Sequence, residues 1–517
     1  MEEVNSAFVG DDGQVGDIGE PVTSPRTPSV KHEIDYSTAT KRPQIGAALA
    51  AAFSAFLLGT TLGWSSPVQP QLQHIAAGSF YPNDKQLANI WHIELDDNQM
   101  SWVGSLLNIG GMLGALSGGF LMDKFGRRFV LMMMMMSAPY IIGWLMISLA
   151  VDSSMLYVGR VIVGFSGGVC TAIAPCYIGE ISTPTMRGIV GFFFTFNLSC
   201  GVLVTSVMGL WMHWRWLSVI CTIKPIIFIV GMICVPESPY FLMRKGQQSE
   251  AFGSLVWLRG STYNIKAELH QIETRVLEDS KETCKISDVC QPWVFKPILI
   301  GVALMVVQQF SGLNALLFNA ADIFRLANFS FDRLIGVVLI NVAQVSAVVL
   351  SSAVLVKRLN RRTLFIISEG IACLSTLLMG FYFHYSGRPH SQEMVNFKWI
   401  PLTAMIVFSM AVGLGLGALP WLISSEILPP RFRGPGSSIV AFTNFAMSFT
   451  VTKTFVDMNR VMTHAGVFWF YSGACCLGIM FVLFLLPETK DRTPLQIQVY
   501  FRSREKRISS LPILTPR

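Results

Sequence analysis

The chain has 517 residues, of which 52% are hydrophobic and 14% charged, with a mean hydropathy of +0.50 and a formal charge of +7. Soluble chains carry about 25% charge, so this composition, rich in Phe, Met and Gly, excludes a water-soluble multidomain protein and indicates a lipid-facing surface. The net positive charge alone would suit nucleic acid, and its placement along the chain decides that question.

Residues 1–43 are polar, with Pro, Ser, Gly and acidic residues and no apolar signal core. A disordered tail is expected there, with the first membrane helix directing insertion. Apolar stretches of about 20 residues, enough to cross about 30 Å of hydrocarbon, then recur with centres near residues 54, 110, 140, 167, 199 and 225. Residues 237–295 break the series: they are rich in Glu, Lys, Arg and Gln, and Leu255, Leu258, Ile265, Leu269, Ile272 and Leu277 have the spacing of short amphipathic helices. Six more apolar stretches follow, centred near residues 308, 345, 374, 412, 446 and 477. The expected fold is an all-α membrane protein of about twelve transmembrane helices. A six-helix bundle over 44–236, a cytoplasmic helical insert over 237–295, a second six-helix bundle over 296–488 and a tail over 489–517 follow the N-terminal tail.

Lys and Arg set the orientation. Lys124, Arg127 and Arg128 follow the second span and Lys357, Arg358, Arg361 and Arg362 the eighth, whereas the long loop after the first span carries Asp84, Glu94, Asp96 and Asp97. By the positive-inside rule both termini and the insert are cytosolic, and the basic charge opposes anionic lipid. No nucleic-acid partner is expected. The basic run Arg502, Arg504, Lys506 and Arg507 reads as a solvated tail.

The two halves repeat. Asp123–Arg128 after span two corresponds to Lys357–Arg362 after span eight. Glu180 with Arg187-Gly188 after span four corresponds to Glu426 with Arg433-Gly434 after span ten, and Pro236-Glu-Ser to Pro487-Glu-Thr. Three marks in the same order imply two equivalent bundles, the plan of parallel-repeat transporters that rock around a central site. The arginines and glutamates, namely Arg127, Arg128, Glu180, Arg187, Arg361, Arg362, Glu426 and Arg433, are expected to meet across the pseudo-twofold as a cytoplasmic gate. Arg160, at the opening of span four, is counted with them. Partly exposed pairs of about 0–1 kcal/mol each suit a gate that must break in every cycle.

Polar residues within spans point to a lumen or a partner helix. Span seven holds Gln308, Gln309, Ser311 and Asn314, with Gly312 able to break the helix so that these share a face. Asn341 and Gln344 in span eight and Asn444 in span eleven add further amides. Neutral amides donate and accept, which suits hydroxyl groups, although helix–helix packing is an equal use for each alone. Span ten reads Gly413-Leu-Gly-Leu-Gly417-Ala-Leu-Pro-Trp421 and should be unwound or hinged before Trp421. Lys224, in the middle of span six, either faces the cavity or pairs structurally. Asn328-Phe-Ser330 is a glycosylation sequon on an outward loop.

No cysteine pair has zinc-ligand spacing and eight of the ten cysteines lie in apolar runs, so they read as small hydrophobes. The eight histidines are scattered, with no metal-binding helix motif and no nucleophile beside a base. No enzyme activity, cofactor or metal is expected.

Taken together, Gly126-Arg127-Arg128, Gly159-Arg160, Pro175-Cys-Tyr-Ile-Gly-Glu180, Pro236-Glu-Ser, Gln308-Gln309-Phe-Ser-Gly-Leu-Asn314, Pro420-Trp421 with Glu426, and Pro487-Glu-Thr-Lys resemble the sugar porter branch of the major facilitator superfamily. Leu62–Pro67, Trp257–Gly260, Glu426–Pro429 and Val451–Phe455 are similar to insect facilitated trehalose transporters. The resemblance implies sugar binding by Gln308, Gln309, Asn314, Asn341 and Asn444 with Trp421 beside them. Thr195 stands where hexose carriers place a glutamine, and Phe318 and Asn319 replace a tyrosine pair. These departures argue against ordinary glucose specificity and leave trehalose, a hexose or another polyol open. Proton-driven relatives place an aspartate in span one where this chain has Ser65, so passive transport by a monomer in the cell membrane is expected. A sugar-sensing receptor of the same fold is the alternative.

Overall fold

The protein is described by a computed structural model over residues 36–73, 93–136, 138–281, 291–327, 333–386, 397–429, 432–490, 492 and 496–501. Ten helical stretches are long and apolar enough to cross a membrane. The last, Arg433–Leu485, turns back at Thr463 (φ 65°) and carries two spans. Arg127–Met136 and Ala138–Ser148 supply the third span in two pieces. The expected twelve spans are all present. Asn328 lies outside the described residues.

Local chemistry explains several span ends. Asp96 caps Asp97–Phe125 in a reciprocal capping box with Gln99, and Asp152 accepts from the Met155 N–H at the start of Ser153–Ile181. Prolines occupy the first turns of Pro184–Met208, Pro292–Phe310 and Ile400–Ala411, where a missing N–H has no consequence.

Packing gathers most of the buried side chains into two cores, with a small third cluster of Val294, Ile298, Leu428 and Phe432. One is built around Trp64, Tyr140, Trp144 and Tyr177 and takes in Leu258 of the insert; the other gathers Phe324, Phe365, Phe408 and Tyr471. Spans two and four touch backbone to backbone: a Cβ added at Gly110 would lie 2.0 Å from the Val161 carbonyl oxygen, and one at Gly164 2.0 Å from that of Leu107. Small residues permit this approach where lipid supplies no hydrophobic drive between helices. Large side chains that remain exposed, such as Phe120, Ile227, Leu374, Leu477 and Phe484, are apolar and turn away from both cores, as a bilayer requires.

The insert forms three helices, Pro239–Arg244, Gln248–Arg259 and Ile265–Lys281. Leu255, Leu258, Ile265, Leu269 and Ile272 are buried as their spacing implies, whereas Leu277 is exposed. Arg259, fully buried, pairs with Glu268 at 2.9 Å and donates to the Ile181 carbonyl at 2.7 Å, which roofs span four. The Thr40 N–H donates to the Arg259 carbonyl at 2.8 Å, so the chain enters span one on this insert face. The opposite side is here the outer face.

Candidate functional site

On the insert face the repeated motifs fold into two equivalent knots. The Glu237 carboxylate accepts from the N–H groups of Arg127 and Arg128 at 3.1 and 3.0 Å, and Glu488 accepts from those of Arg361 and Arg362 at 3.1 and 3.2 Å. A carboxylate on a helix N-terminus satisfies orphan donors and the helix dipole together. Arg127 then pairs with Glu180 at 3.1 Å, and Arg361 approaches Glu426 at 3.9 Å. Arg128 and Arg362 turn instead to the last carbonyls of spans six and twelve, at Ile233 and Leu483. Glu237 and Glu488 were missed as functional residues by the sequence argument, although their recurrence in Pro-Glu-Ser and Pro-Glu-Thr was the available signal.

One expectation about this gate changes, the place of Arg160. The glutamate–arginine pairs Arg127–Glu180 and Arg361–Glu426 close within their own bundles, because each glutamate ends a span that packs beside its own arginine loop; pairing across the pseudo-twofold belongs to the state in which the outer side is open, and here that side is bonded shut. Arg160 is not on this face. Span four enters from the outer side at Ser153, which puts Arg160 two turns inside the outer half. It is wholly buried, donates to the carbonyls of Val103 at 3.0 Å and Thr61 at 3.2 Å and to Ser65 Oγ at 2.7 Å, and lies over the Trp64 ring. Arg187 and Arg433 fall in the first turns of spans five and eleven, and their side chains lie outside the described residues.

Both expected helix breaks are present. Gly312 adopts φ +89° between Phe310 and Leu313, and the change of direction lets Asn314 Nδ2 donate to Gln309 Oε1 at 2.9 Å and to Ser448 Oγ at 2.8 Å. Span ten passes into a π turn over Val412–Leu416 and restarts at Leu419, with Trp421 half-buried just beyond Pro420. Gln308 fills that break: its Nε2 donates to the carbonyls of Leu416 and Gly417 at 2.8 and 2.9 Å, while its Oε1 accepts from Asn444 at 2.7 Å. A second π turn, Ser351–Leu355 in span eight, is joined to the first by Ser351 Oγ donating to the Leu414 carbonyl at 2.5 Å.

Across the seam between bundles, Asn341 Nδ2 donates to Ser206 Oγ at 2.9 Å. Thr195 is half-buried and eleven residues before Ser206 on the same helix. That separation returns it to the same face about 16 Å deeper. Gln344, one turn from Asn341, has a buried Oε1 with no hydrogen-bond partner among the described residues. Lys224 belongs to the packing of the first bundle, 5.8 Å from the Phe56 ring and 3.8 Å from Cys221 Sγ.

A cavity of about 310 Å³ lies between the outer ends of the bundles. Ser65, Gln69, Asp97, Phe318, Asp322, Thr452 and Asn459 are among its walls, and it begins one helical turn beyond Ser448 of the amide cluster. Gln69 Nε2 donates to Asp322 across it, Arg325 pairs with Asp322 at 3.3 Å, and Asp97 accepts from Gln73 at 3.0 Å. Burial pushes the Asp322 carboxyl above the usual carboxylate range, against the opposing pull of Arg325. Further bonds between the bundles, Asn98–Lys453 at 2.7 Å, Ser101–Lys453 at 3.3 Å and Asn108–Thr452 at 3.5 Å, also lie in the outer half.

Two pseudo-symmetric six-span bundles, knotted alike on one face, with buried neutral amides at the broken spans of the second and one of them, Asn341, bonded across the seam, have the architecture of a membrane carrier. Residues 47–501 match the family described as sugar (and other) transporter, and the chain belongs to that family. It is 30% identical to the facilitated trehalose transporter Tret1 of Polypedilum vanderplanki over 92% of this chain and 91% of that protein. It is 31% identical to the Tret1 of Aedes aegypti over 92% of this chain, which spans 57% of that longer protein. Among solved structures, a partially occluded inward-open conformation of the E. coli xylose transporter XylE superposes with a TM-score of 0.70 at 21% identity, covering 88% of this chain and 100% of that one. That likeness is one of fold.

Proposed function

We propose that the chain carries trehalose, or failing that a hexose, passively across the cell membrane as a monomer, with the insert and both termini on the cytosolic side. The observation that carries this reading is the character of the seam. Asn341 offers a neutral amide across it, Gln309 and Asn314 add further amides at the broken span beside it, and the buried Gln344 Oε1 has unspent capacity for a hydroxyl. Gln308 and Asn444 hold the broken helices in place beneath the solute, Trp421 supplies an apolar face, and Thr195 closes the opposite wall. The bundles are bonded together on the outer side, so the arrangement is the outward-closed member of an alternating pair.

The Arg160 shell supports passive rather than proton-coupled movement. All of its hydrogen-bond partners, the carbonyls of Val103 and Thr61 and the hydroxyl of Ser65, are neutral oxygens that do not titrate near neutral pH. Reconstitution in proteoliposomes with labelled trehalose and labelled glucose tests the proposal. Saturable entry of trehalose that stops at equal concentrations on both sides, whatever pH gradient is imposed, is the expected result. Binding of sugar without flux would assign the chain to sugar sensing instead.

A further inference from the structure

The outer cavity begins one helical turn beyond the amide cluster, includes none of its amides among its walls, and needs its own account. Both bundles build it: Gln69 and Asp97 come from the first, Asp322 and Asn459 from the second. Its volume of about 310 Å³ falls at the lower end of the roughly 300–1,000 Å³ of small-molecule sites. Phe318 and Phe455 supply apolar surface while Asp322, Asn459 and Arg460 supply acceptors and donors. This mixture matches a polyhydroxyl compound, with C–H faces to cover and hydroxyl edges to bond. Asp322 is the centre of it. A carboxylate has room for about four hydrogen bonds, and Gln69 and Arg325 are the partners it holds here. Two adjacent hydroxyls of a sugar can donate to one carboxylate side by side, in the charge-assisted geometry that makes such bonds strong.

We infer that this cavity is a second, outer sugar site, and that a sugar entering it takes Asp322 away from Gln69. The inference rests on the sugar-transport reading and adds a consequence to it. The Gln69–Asp322 bond joins the bundles on the side that is closed, so an occupant that competes for Asp322 loosens the closure from outside. Arrival of solute thereby favours the outward-open state through differential contacts in the two states, as a population shift requires. Asn319, at the cavity wall, marks where the departure from the tyrosine-bearing pattern of hexose carriers reaches this site.

The test uses the full chain in proteoliposomes with Val456→Cys as a reporter inside the cavity and a membrane-impermeant maleimide applied to the outer face. The parent chain without this cysteine is the background. Trehalose and glucose are the probes. Occupancy slows labelling by the factor one plus concentration over Kd, so sugar at about ten times its Kd slows it about tenfold. The same slowing is expected in a Gln309→Ala background, which impairs the central cluster. It should vanish with Asp322→Ala and survive in part with Asp322→Asn, which keeps an acceptor oxygen and reports on folding. Undiminished labelling in vesicles that still transport sugar overturns the outer site. Protection that disappears with Gln309→Ala does so as well, because it then originates at the central cluster. If neither flux nor protection is found, the transport reading itself falls, and this one with it.

Discussion

Both amide hydrogens of Gln308 go to backbone carbonyls and its oxygen goes to Asn444, whereas Gln309 is bonded, among the described residues, to Asn314 alone. Two adjacent residues of one type therefore divide between support and solute. Gln308→Ala strands the carbonyls freed by the π turn, and an unsatisfied buried group costs about 1–3 kcal/mol. Its expected effect is a lowered unfolding temperature in detergent. Gln309→Ala should leave that temperature nearly unchanged and raise the KM for sugar; equal effects of the two variants on stability would refute the division. The Arg160 shell supports a second test. Ser65→Asp places a carboxylate against a guanidinium whose present hydrogen-bond partners are all neutral. Uptake by that variant should respond to an imposed pH gradient, whereas the parent chain should not, and a flat response in both would remove Ser65 from the account of passive transport.

At the scale of elements, the breaks in spans seven and ten are legible in the sequence. Gly312 and the run Gly413–Pro420 deprive those helices of side-chain bulk or of a donor, whereas the single prolines Pro175 and Pro225 sit in helices that run on unbroken. The π turn at Ser351–Leu355 was not legible. Its sequence, Ser-Ser-Ala-Val-Leu, contains no breaker, and the bond from Ser351 to a carbonyl of span ten shows that a tertiary contact accompanies it. Arg160 misleads for a related reason: an arginine near a span end resembles the gate arginines, although the direction of span four puts it on the outer side. Gly312→Ala tests the role of the break. A left-handed residue with a Cβ costs about 1–2 kcal/mol, and the added carbon would lie 3.0 Å from the Tyr471 ring. The variant should unfold at lower temperature and bind sugar more weakly, because a straighter helix separates Asn314 from Gln309. Retained affinity would show that the pairing of these amides does not depend on the glycine.

For the molecule as a whole, the twelve spans and their twofold repeat follow from hydrocarbon thickness and from motifs only a few residues long, so sequence carried them. The outer cavity did not show in the sequence because its walls come from separate spans in both bundles, and no local pattern encodes that meeting. The distribution of bonds between the bundles has a mechanical consequence. Gln69–Asp322, Asn98–Lys453, Ser101–Lys453, Asn108–Thr452 and Ser206–Asn341 all lie in the outer half, while the pairs Arg127–Glu180 and Arg361–Glu426 on the insert face remain inside their bundles. Rocking toward the outward-open state must break the first set and can leave the second intact, so the knots on the insert face act as rigid corners. Joining Asn98→Cys to Lys453→Cys with a short bis-thiosulfonate, which forms a reducible disulfide to each cysteine and releases sulfinate, should therefore hold the outer side shut. Net flux of sugar should cease and return when the link is reduced, while sugar offered from the insert face should still bind. Undiminished flux through the linked protein would mean that solute crosses without separation of these two residues, and the rocking of one bundle against the other would have to be abandoned.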